Sequence, residues 1–263
     1  MTLCLAWRDT NGHVHLASDS RVKVASNSFE DIAVKVTRIP CEIFPPSSSF
    51  ANGTGDHQIS LGMAFAGNHV GAYAIKESLI EVLGRLQHVP GVTELSMDKI
   101  VKIAFHTYES LSKKLCSTSI AEKGICEIFL VGLCQKRKSV RAFKFSTDPT
   151  TNSHFFKEIL VGPAPHFEMI GSGRNAQSLG ANASADPIRA LKAVIEDPSR
   201  QDVGGAVQYG TCANSDFTIY CECLNDYNDS PIYMRAGLDI NGINSSMEHD
   251  DLVVAALCFE IDN

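Results

Sequence analysis

The sequence predicts an α+β fold in which two stacked sheets lie between helical layers. Three observations carry that prediction. Short apolar, strand-like runs fill both ends of the chain and much of its second half. Two consecutive stretches, over 72–86 and 100–115, instead repeat their apolar residues at helical spacing. The resulting order is strands, two helices, strands, helices, strands, which suits layers of one kind packed on the other. No repeat, coiled coil or linker interrupts it, so a single domain over residues 1–263 is expected.

Taken in order, Thr2 opens the run T-L-C-L-A-W-R, and Asp9-Thr10-Asn11-Gly12 closes it as a hairpin turn. The second strand ends in Ala17-Ser18-Asp19-Ser20-Arg21. Residues 22–31 read as a polar loop or irregular strand, leading to a strand over 32–39 in which Lys35 is a lone charge. Residues 40–57 carry nearly every breaker and predict an exposed hairpin excursion. A strand over 60–66 follows, with Ala66-Gly67-Asn68 as the turn into a helix. Ala72, Ile75, Leu79, Leu83 and Leu86 share one helical stripe, stopped by Val89-Pro90-Gly91.

The cap-like Ser96 begins a second helix, with Ile100, Ile103, Ala104, Thr107, Tyr108, Leu111 and Leu115 on one face. The period then changes. Residues 126–134 and 140–146 read as a hairpin around Lys136-Arg137-Lys138, and 155–161 and 167–170 as further strands. Gly171-Ser172-Gly173 precedes a weakly helical, Ala-rich stretch reaching Glu196. Residues 203–212 are expected to be another helix despite Gly204-Gly205. Strands near 217–223, 232–238 and 252–260 complete the chain.

Composition narrows the function classes. The chain is 44% apolar and 20% charged, ordinary for a soluble globular protein. A net charge of −7 argues against a nucleic-acid partner. The longest apolar run, near 252–259, is too short to span a bilayer, so no membrane role is expected. The start has neither a basic segment nor a long apolar one, which predicts no signal peptide and a cytoplasmic location.

The nine cysteines have no framework spacing. Cys4, Cys126, Cys134 and Cys258 read as small core residues, and Cys221 and Cys223 share one face of a strand. His13 and His15 also share a strand face, but no carboxylate or cysteine partner is evident and they read as surface residues. No metal and no cofactor is expected.

The chemistry-bearing residues lie near the start. Thr2 follows the initiator Met and has a side chain small enough for Met1 to be removed. Asp19 ends a strand, and Lys35 sits between Val34 and Val36. Singly, each has a plainer reading. Thr2 is a second residue, Asp19 a turn-capping carboxylate, and Lys35 an outward charge guarding an edge strand. Together, a terminal threonine, an acid and a lysine are the parts that activate a hydroxyl through its own α-amine.

This segment resembles the start of the proteasome β-type N-terminal-nucleophile hydrolases, the family of proteasome β subunits, HslV and the Anbu proteins. M-T-x-C-x-A followed by L-A-S-D-S-R matches the Anbu pattern in spacing and residue type. The resemblance implies a four-layer αββα sandwich with Thr2 as nucleophile and Asp19 and Lys35 as its electrostatic support. It also implies that the Gly67 N–H donates to the oxyanion, that Ser172 of Gly171-Ser172-Gly173 bonds to the terminal amine, and that Arg21 shapes the substrate floor or pairs with an acid. Gly204-Gly205-Ala206-Val207 is similar to the family's Gly-Gly segment. The acid and serine that precede that pair in the family fall here on Arg200 and Val203, with Ser199 and Asp202 displaced.

The activity implied is hydrolysis of amide bonds in peptides or proteins. A ring or spiral homo-oligomer is implied with it, and an unfoldase partner is left unidentified. A catalytically silent scaffold and a small-molecule amidase on the same fold are the alternatives.

Overall fold

Strands β1 (Cys4–Arg8) and β2 (Val14–Ser18) form the predicted hairpin. Its turn is held by Asp9, whose carbonyl accepts from Gly12 and whose carboxylate accepts from the N–H groups of Asn11 and His13. Both strands are covered on both faces. Cys4, Ala6, Val14 and Leu16 pack toward a second sheet, while Leu3, Leu5 and Ala17 pack toward a helix. That is why these runs read as continuous apolar stretches and not as alternation.

The computed structural model describes residues 2–25, 28–46, 55–92, 94–117, 126–148, 150–162, 166–180, 183–225, 231–246 and 253–261. Met1 and residues 47–54 of the breaker-rich 40–57 stretch lie outside them. Within the stretch expected to be a polar loop or irregular strand, β3 (Val22–Ala25) and β4 (Ser28–Glu30) pair antiparallel as a small separate sheet.

β5 (Val36–Phe44) starts later than expected and runs straight through Pro40. The reason lies in the pairing with β6 (His57–Gly67). The Phe65 N–H donates to the Lys35 carbonyl and Val36 is the partner of Ala64, so even-numbered β5 residues turn their N–H groups to the open edge. Pro40, which has no N–H to give, costs the ladder nothing there. β6 alternates large and small residues. Ile59, Leu61, Met63 and Phe65 face the helices, and Gly62, Ala64 and Ala66 face the other sheet. A Cβ at Gly62 would lie 2.3 Å from the Phe217 ring, so the missing side chain lets the sheets close.

Helix α1 (His69–Leu83) is capped by Asn68, whose side chain accepts from the Gly71 N–H at 2.6 Å. It buries Ala72, Ile75, Leu79 and Leu83 as the stripe predicts. It stops at Gly84, before the expected breaker, because Leu86 already belongs to β7 (Leu86–Gln87), a short parallel partner of β5. α2 (Met97–Ser117) follows Ser96, but its buried face is Met97, Ile100, Val101, Ala104, Tyr108 and Ser112. Ile103, assigned to that face by periodicity, is exposed. Both helices pack on one face of a sheet ordered β10-β9-β8-β6-β5-β7, built with β8 (Cys126–Cys134), β9 (Ser139–Thr147) and β10 (His154–Ile159).

β11 (His166–Ile170) returns to pair with β1. Helix α3 (Pro187–Ile195), capped by Asp186, packs on Leu3, Leu5 and Ala17. Residues 203–212 are not helical. β12 (Gln208–Cys212) lies between β2 and β13 (Phe217–Asn225). Gly205, at φ +77°, breaks any helix here, and two flanking strands supply the hydrogen bonds that a helix would otherwise make for itself.

β14 (Pro231–Arg235), β15 (Leu238–Asp239), α4 (Ile240–Ser246) and the two-residue β16 (Cys258–Phe259) end the described chain. Their sheet runs β11-β1-β2-β12-β13-β14-β15, with β16 on β13. Cys4, Cys126 and Cys134 are buried as expected, whereas Cys258 is exposed beside Cys221. No helix among the described residues is long and apolar enough to cross a membrane.

Candidate active site

Thr2 lies just before β1 and is buried. Around its carbonyl wraps the turn Gly171-Ser172-Gly173, which leaves β11 as a short 3-10 helix. The Gly173 N–H donates to the Thr2 carbonyl at 3.2 Å. Gly171 has φ +93°, and a Cβ there would stand 2.1 Å from the Thr2 oxygen and 3.0 Å from the Ala66 Cβ. Only glycine fits this approach. Gly67 follows Ala66 at the end of β6 and so reaches the same corner.

Asp19 and Lys35 meet in the interior. Lys35 Nζ is 2.9 Å from Asp19 Oδ1, with the two side chains 1% and 0% exposed. The outward-pointing reading of Lys35 therefore does not hold. Asp19 is anchored further by backbone donors: Leu3 N–H to Oδ1 at 3.1 Å, and Arg21 and Gly204 N–H groups to Oδ2 at 3.2 Å each. The Leu3 bond ties the acid to the residue next to Thr2. A buried ion pair repays its desolvation only with further hydrogen bonds, and on the carboxylate side these three backbone N–H groups supply them.

Arg21 does not point a free cation at this site. Its guanidinium grips Asp31 through two bonds of 2.7 and 2.9 Å, which raises its pKa further, and lies against Gly204, where a Cβ would meet it at 2.2 Å.

The segment before Gly204-Gly205 is remodelled. Val203 is buried and bears no hydroxyl, and Ser199 turns away to bond to Asp197. Asp202 instead accepts from Ser172 Oγ at 2.7 Å and is clasped by Arg200 Nε and Nη2 at 3.1 and 3.0 Å. Arg200 also donates to the Ser172 carbonyl. Burial acts to raise the Asp202 carboxyl, but the Ser172 hydroxyl and Arg200 outweigh it and hold its pKa low.

His69, at the start of α1, borders the same corner. It rests 4.4 Å from the Tyr73 ring and near Phe65. Burial, and then the Lys35 ammonium, push it down to about 4, so it is neutral at ordinary pH. Cys4 is driven up to about 12 by burial and is an inert thiol, hydrogen-bonded to Ser18 and the Phe65 carbonyl.

Gln208 and Arg235 also belong to this neighbourhood, and nothing in the sequence singled them out. Gln208 is fully buried and touches the backbones of both Asp19 and Lys35. A lone glutamine in a strand carries no pattern that periodicity could detect.

His15 is not a surface residue. Its ring clusters with Trp7 at 5.0 Å and Tyr209 at 5.8 Å, and those two rings also touch each other at 6.0 Å; its Nδ1 is 2.7 Å from the Tyr209 hydroxyl and 2.9 Å from Thr211 Oγ1. Asp9 lies 3.4 Å from His13 and 3.3 Å from His15, the carboxylate that the sequence did not reveal. Among the described residues no group of three His, Cys, Asp or Glu side chains is arranged to hold a metal ion.

No protein-family model matches the sequence, and neither does any curated protein. Solved structures do match. Anbu (ancestral beta-subunit) from Yersinia bercovieri superposes with a TM-score of 0.52 at 16% identity, over 80% of this chain and 81% of that one. The fold is that of the Anbu proteins. Anbu from Pseudomonas aeruginosa, solved as a helical assembly, gives a TM-score of 0.53 at 15% identity over 83% of this chain and 85% of its own. A Gly-1 mutant of Anbu from Hyphomicrobium sp. strain MC1 gives 0.52 at 15%, with the same coverage. Anbu-like architecture thus covers most of both chains, at sequence identities where only the backbone fold is shared.

Proposed function

We propose that this protein is a threonine-type N-terminal-nucleophile hydrolase that cleaves amide bonds, most naturally in peptides, once Met1 has been removed. It would work as one domain, a four-layer αββα sandwich. The observation that carries the proposal is the buried pair of Lys35 and Asp19, bonded through Leu3 to the backbone beside Thr2. A cation so deep in the protein has a large desolvation cost, which a purely apolar core would avoid.

In this reading the Thr2 hydroxyl attacks the amide carbonyl and its own α-amine takes the proton. The free amine has an ordinary pKa of roughly 7.7–8.0, and a nearby ammonium favours its neutral, accepting form. Asp19 keeps Lys35 charged and aimed. Ser172, fixed by Asp202, holds the amine. The Gly67 N–H donates to the oxyanion of the tetrahedral intermediate. Arg21, engaged with Asp31, braces the substrate floor. The same amine then returns the proton to the leaving nitrogen, and water releases the acyl group from Thr2.

The loss of a hydroxyl at Val203 favours one rival, a catalytically silent relative that serves as a scaffold. Intact mass and N-terminal sequencing of the native protein, followed by treatment with a threonine-directed electrophile, separate the two. A chain beginning at Thr2 and modified there supports the hydrolase. A chain that keeps Met1 has an amide in place of the amine and no base, and supports the scaffold. Self-assembly belongs to the same proposal, and sedimentation of a clean monomer over a wide concentration range would remove it.

A further inference from the structure

The two charged residues of the candidate site come from different sheets. Asp19 follows β2, whereas Lys35 precedes β5. Where the sheets face one another the contact is largely apolar, and apolar attraction has no direction. It holds the sheets together, and directional polar ties such as Cys4 Sγ to the Phe65 carbonyl and the Phe217 N–H to Ser60 Oγ fix how they slide. An ion pair of 2.9 Å needs that slide fixed.

Gln208 is a further tie of this kind, placed at the pair itself. It stands on β12 beside β2, in register with Ser18, and is 0% exposed. Its Oε1 accepts from the N–H groups of Lys35 at 2.9 Å and Val36 at 3.2 Å, and from Arg235 Nη1 at 3.3 Å. Its Nε2 donates to the carbonyls of Asp19 at 3.1 Å and Ala33 at 2.5 Å. The amide orientation follows from chemistry, since N–H groups and a guanidinium can only donate and carbonyls only accept.

The need for such a group is built into β5. Val36 turns its N–H to the open edge of that strand, where β7 pairs only at Ile43 and Phe44. Arg235 closes the same edge by donating to the Val36 carbonyl. Among the described residues it forms no ion pair, and burial lowers its pKa, so its hydrogen bonds to Gln208 and Val36 are what it offers the site.

We propose that Gln208 is a positioning residue, a strut between the sheets that fixes the backbones of Asp19 and Lys35 relative to each other, with Arg235 locking its amide. Its catalytic consequence rests on the reading of Thr2 as the nucleophile. Its geometric consequence does not.

The test uses the full chain lacking Met1, as wild type, Gln208→Met and Gln208→Asn. Methionine keeps the length and removes every hydrogen bond. Asparagine keeps the amide and is too short to span both sheets. Two readouts are followed beside thermal melting. One is the pH midpoint for acylation of the Thr2 α-amine by an amine-directed reagent, scored by mass spectrometry. The other is the rate at which a peptide β-lactone acylates the Thr2 hydroxyl.

A strut predicts that Gln208→Met raises the amine midpoint by about half a unit or more, toward the ordinary range, because the Lys35 cation drifts from its place. It predicts at least roughly tenfold slower β-lactone acylation, with Gln208→Asn in between. A residue that only fills the core would lower the melting temperature and leave the midpoint alone. Where Gln208→Met does not fold, Gln208→Asn carries the same comparison. A folded variant with wild-type midpoint and wild-type rate overturns the proposal. A wild type that resists the β-lactone, with a midpoint that still moves in the variant, ends the hydrolase reading and supports the strut.

Discussion

Lys35 Nζ lies 2.9 Å from Asp19 Oδ1, a fully enclosed ion pair made by residues of two different sheets. The pair is asymmetric. Asp19 keeps three backbone N–H partners if the lysine is lost, whereas among the hydrogen bonds described for the Lys35 ammonium Asp19 is the only acceptor.

That asymmetry sets the first expectation. Removing one member of a buried pair costs about 3–5 kcal/mol, and Lys35→Met should fall at the low end because Asp19 stays hydrogen-bonded. Asp19→Leu should fall at the high end. Urea unfolding of the two variants measures the order, and both should abolish amide hydrolysis. Activity of Lys35→Met at the wild-type rate would show that the cation plays no chemical part.

Gly171→Ala tests the turn around Thr2. The added methyl would stand 2.1 Å from the Thr2 oxygen at φ +93°. A loss on the order of 1–3 kcal/mol is expected from backbone strain alone. Modification of Thr2 should slow more than stability falls, because the nucleophile itself is displaced. The comparison is the electrophile rate in Gly171→Ala against that in a surface glycine variant such as Gly91→Ala.

Ser172→Ala removes the hydroxyl that helps to hold the Asp202 pKa low. The Asp202 carboxyl should then titrate at higher pH, although Arg200 still restrains it. A carboxyl with a depressed native pKa contributes stability that is present above its unfolded value and lost as pH falls through the native one. Acid unfolding of Ser172→Ala should accordingly begin at a higher pH than in wild type. Coincident acid transitions for the two proteins would mean that this hydrogen bond contributes nothing.

The pH profile of hydrolysis identifies the base. A base must be unprotonated, so activity should fall on acidification through its pKa. The Thr2 amine, beside Lys35, should give a limb below roughly 7.7–8.0, and Lys35→Met should move any residual limb upward. His69 is the competing group in this corner, with its pKa pushed down to about 4 by burial and then by Lys35. A limb at that value, abolished in His69→Gln, would replace the amine with the imidazole.

Much of this protein was legible before any coordinates. The hairpin at Asp9-Thr10-Asn11-Gly12, the α1 stripe and the 126–147 hairpin are local patterns, and each formed where its residues required. The resemblance, and no local pattern, grouped Thr2, Asp19, Lys35 and Ser172; in the structure Lys35 meets Asp19 and the turn carrying Ser172 wraps the Thr2 carbonyl. Periodicity failed where distant partners decide. Residues 203–212 became a strand because β2 and β13 flank them, and β5 passed through Pro40 because its N–H side faces an open edge. His15 reads as a surface residue until Trp7 and Tyr209 close over it. The pairing of Asp202 with Ser172 and the span of Gln208 between the sheets join residues 30 and 173 positions apart. A chain specifies its own turns and periodic faces locally. Which polar groups must satisfy one another in the interior is decided only when packing excludes water from both.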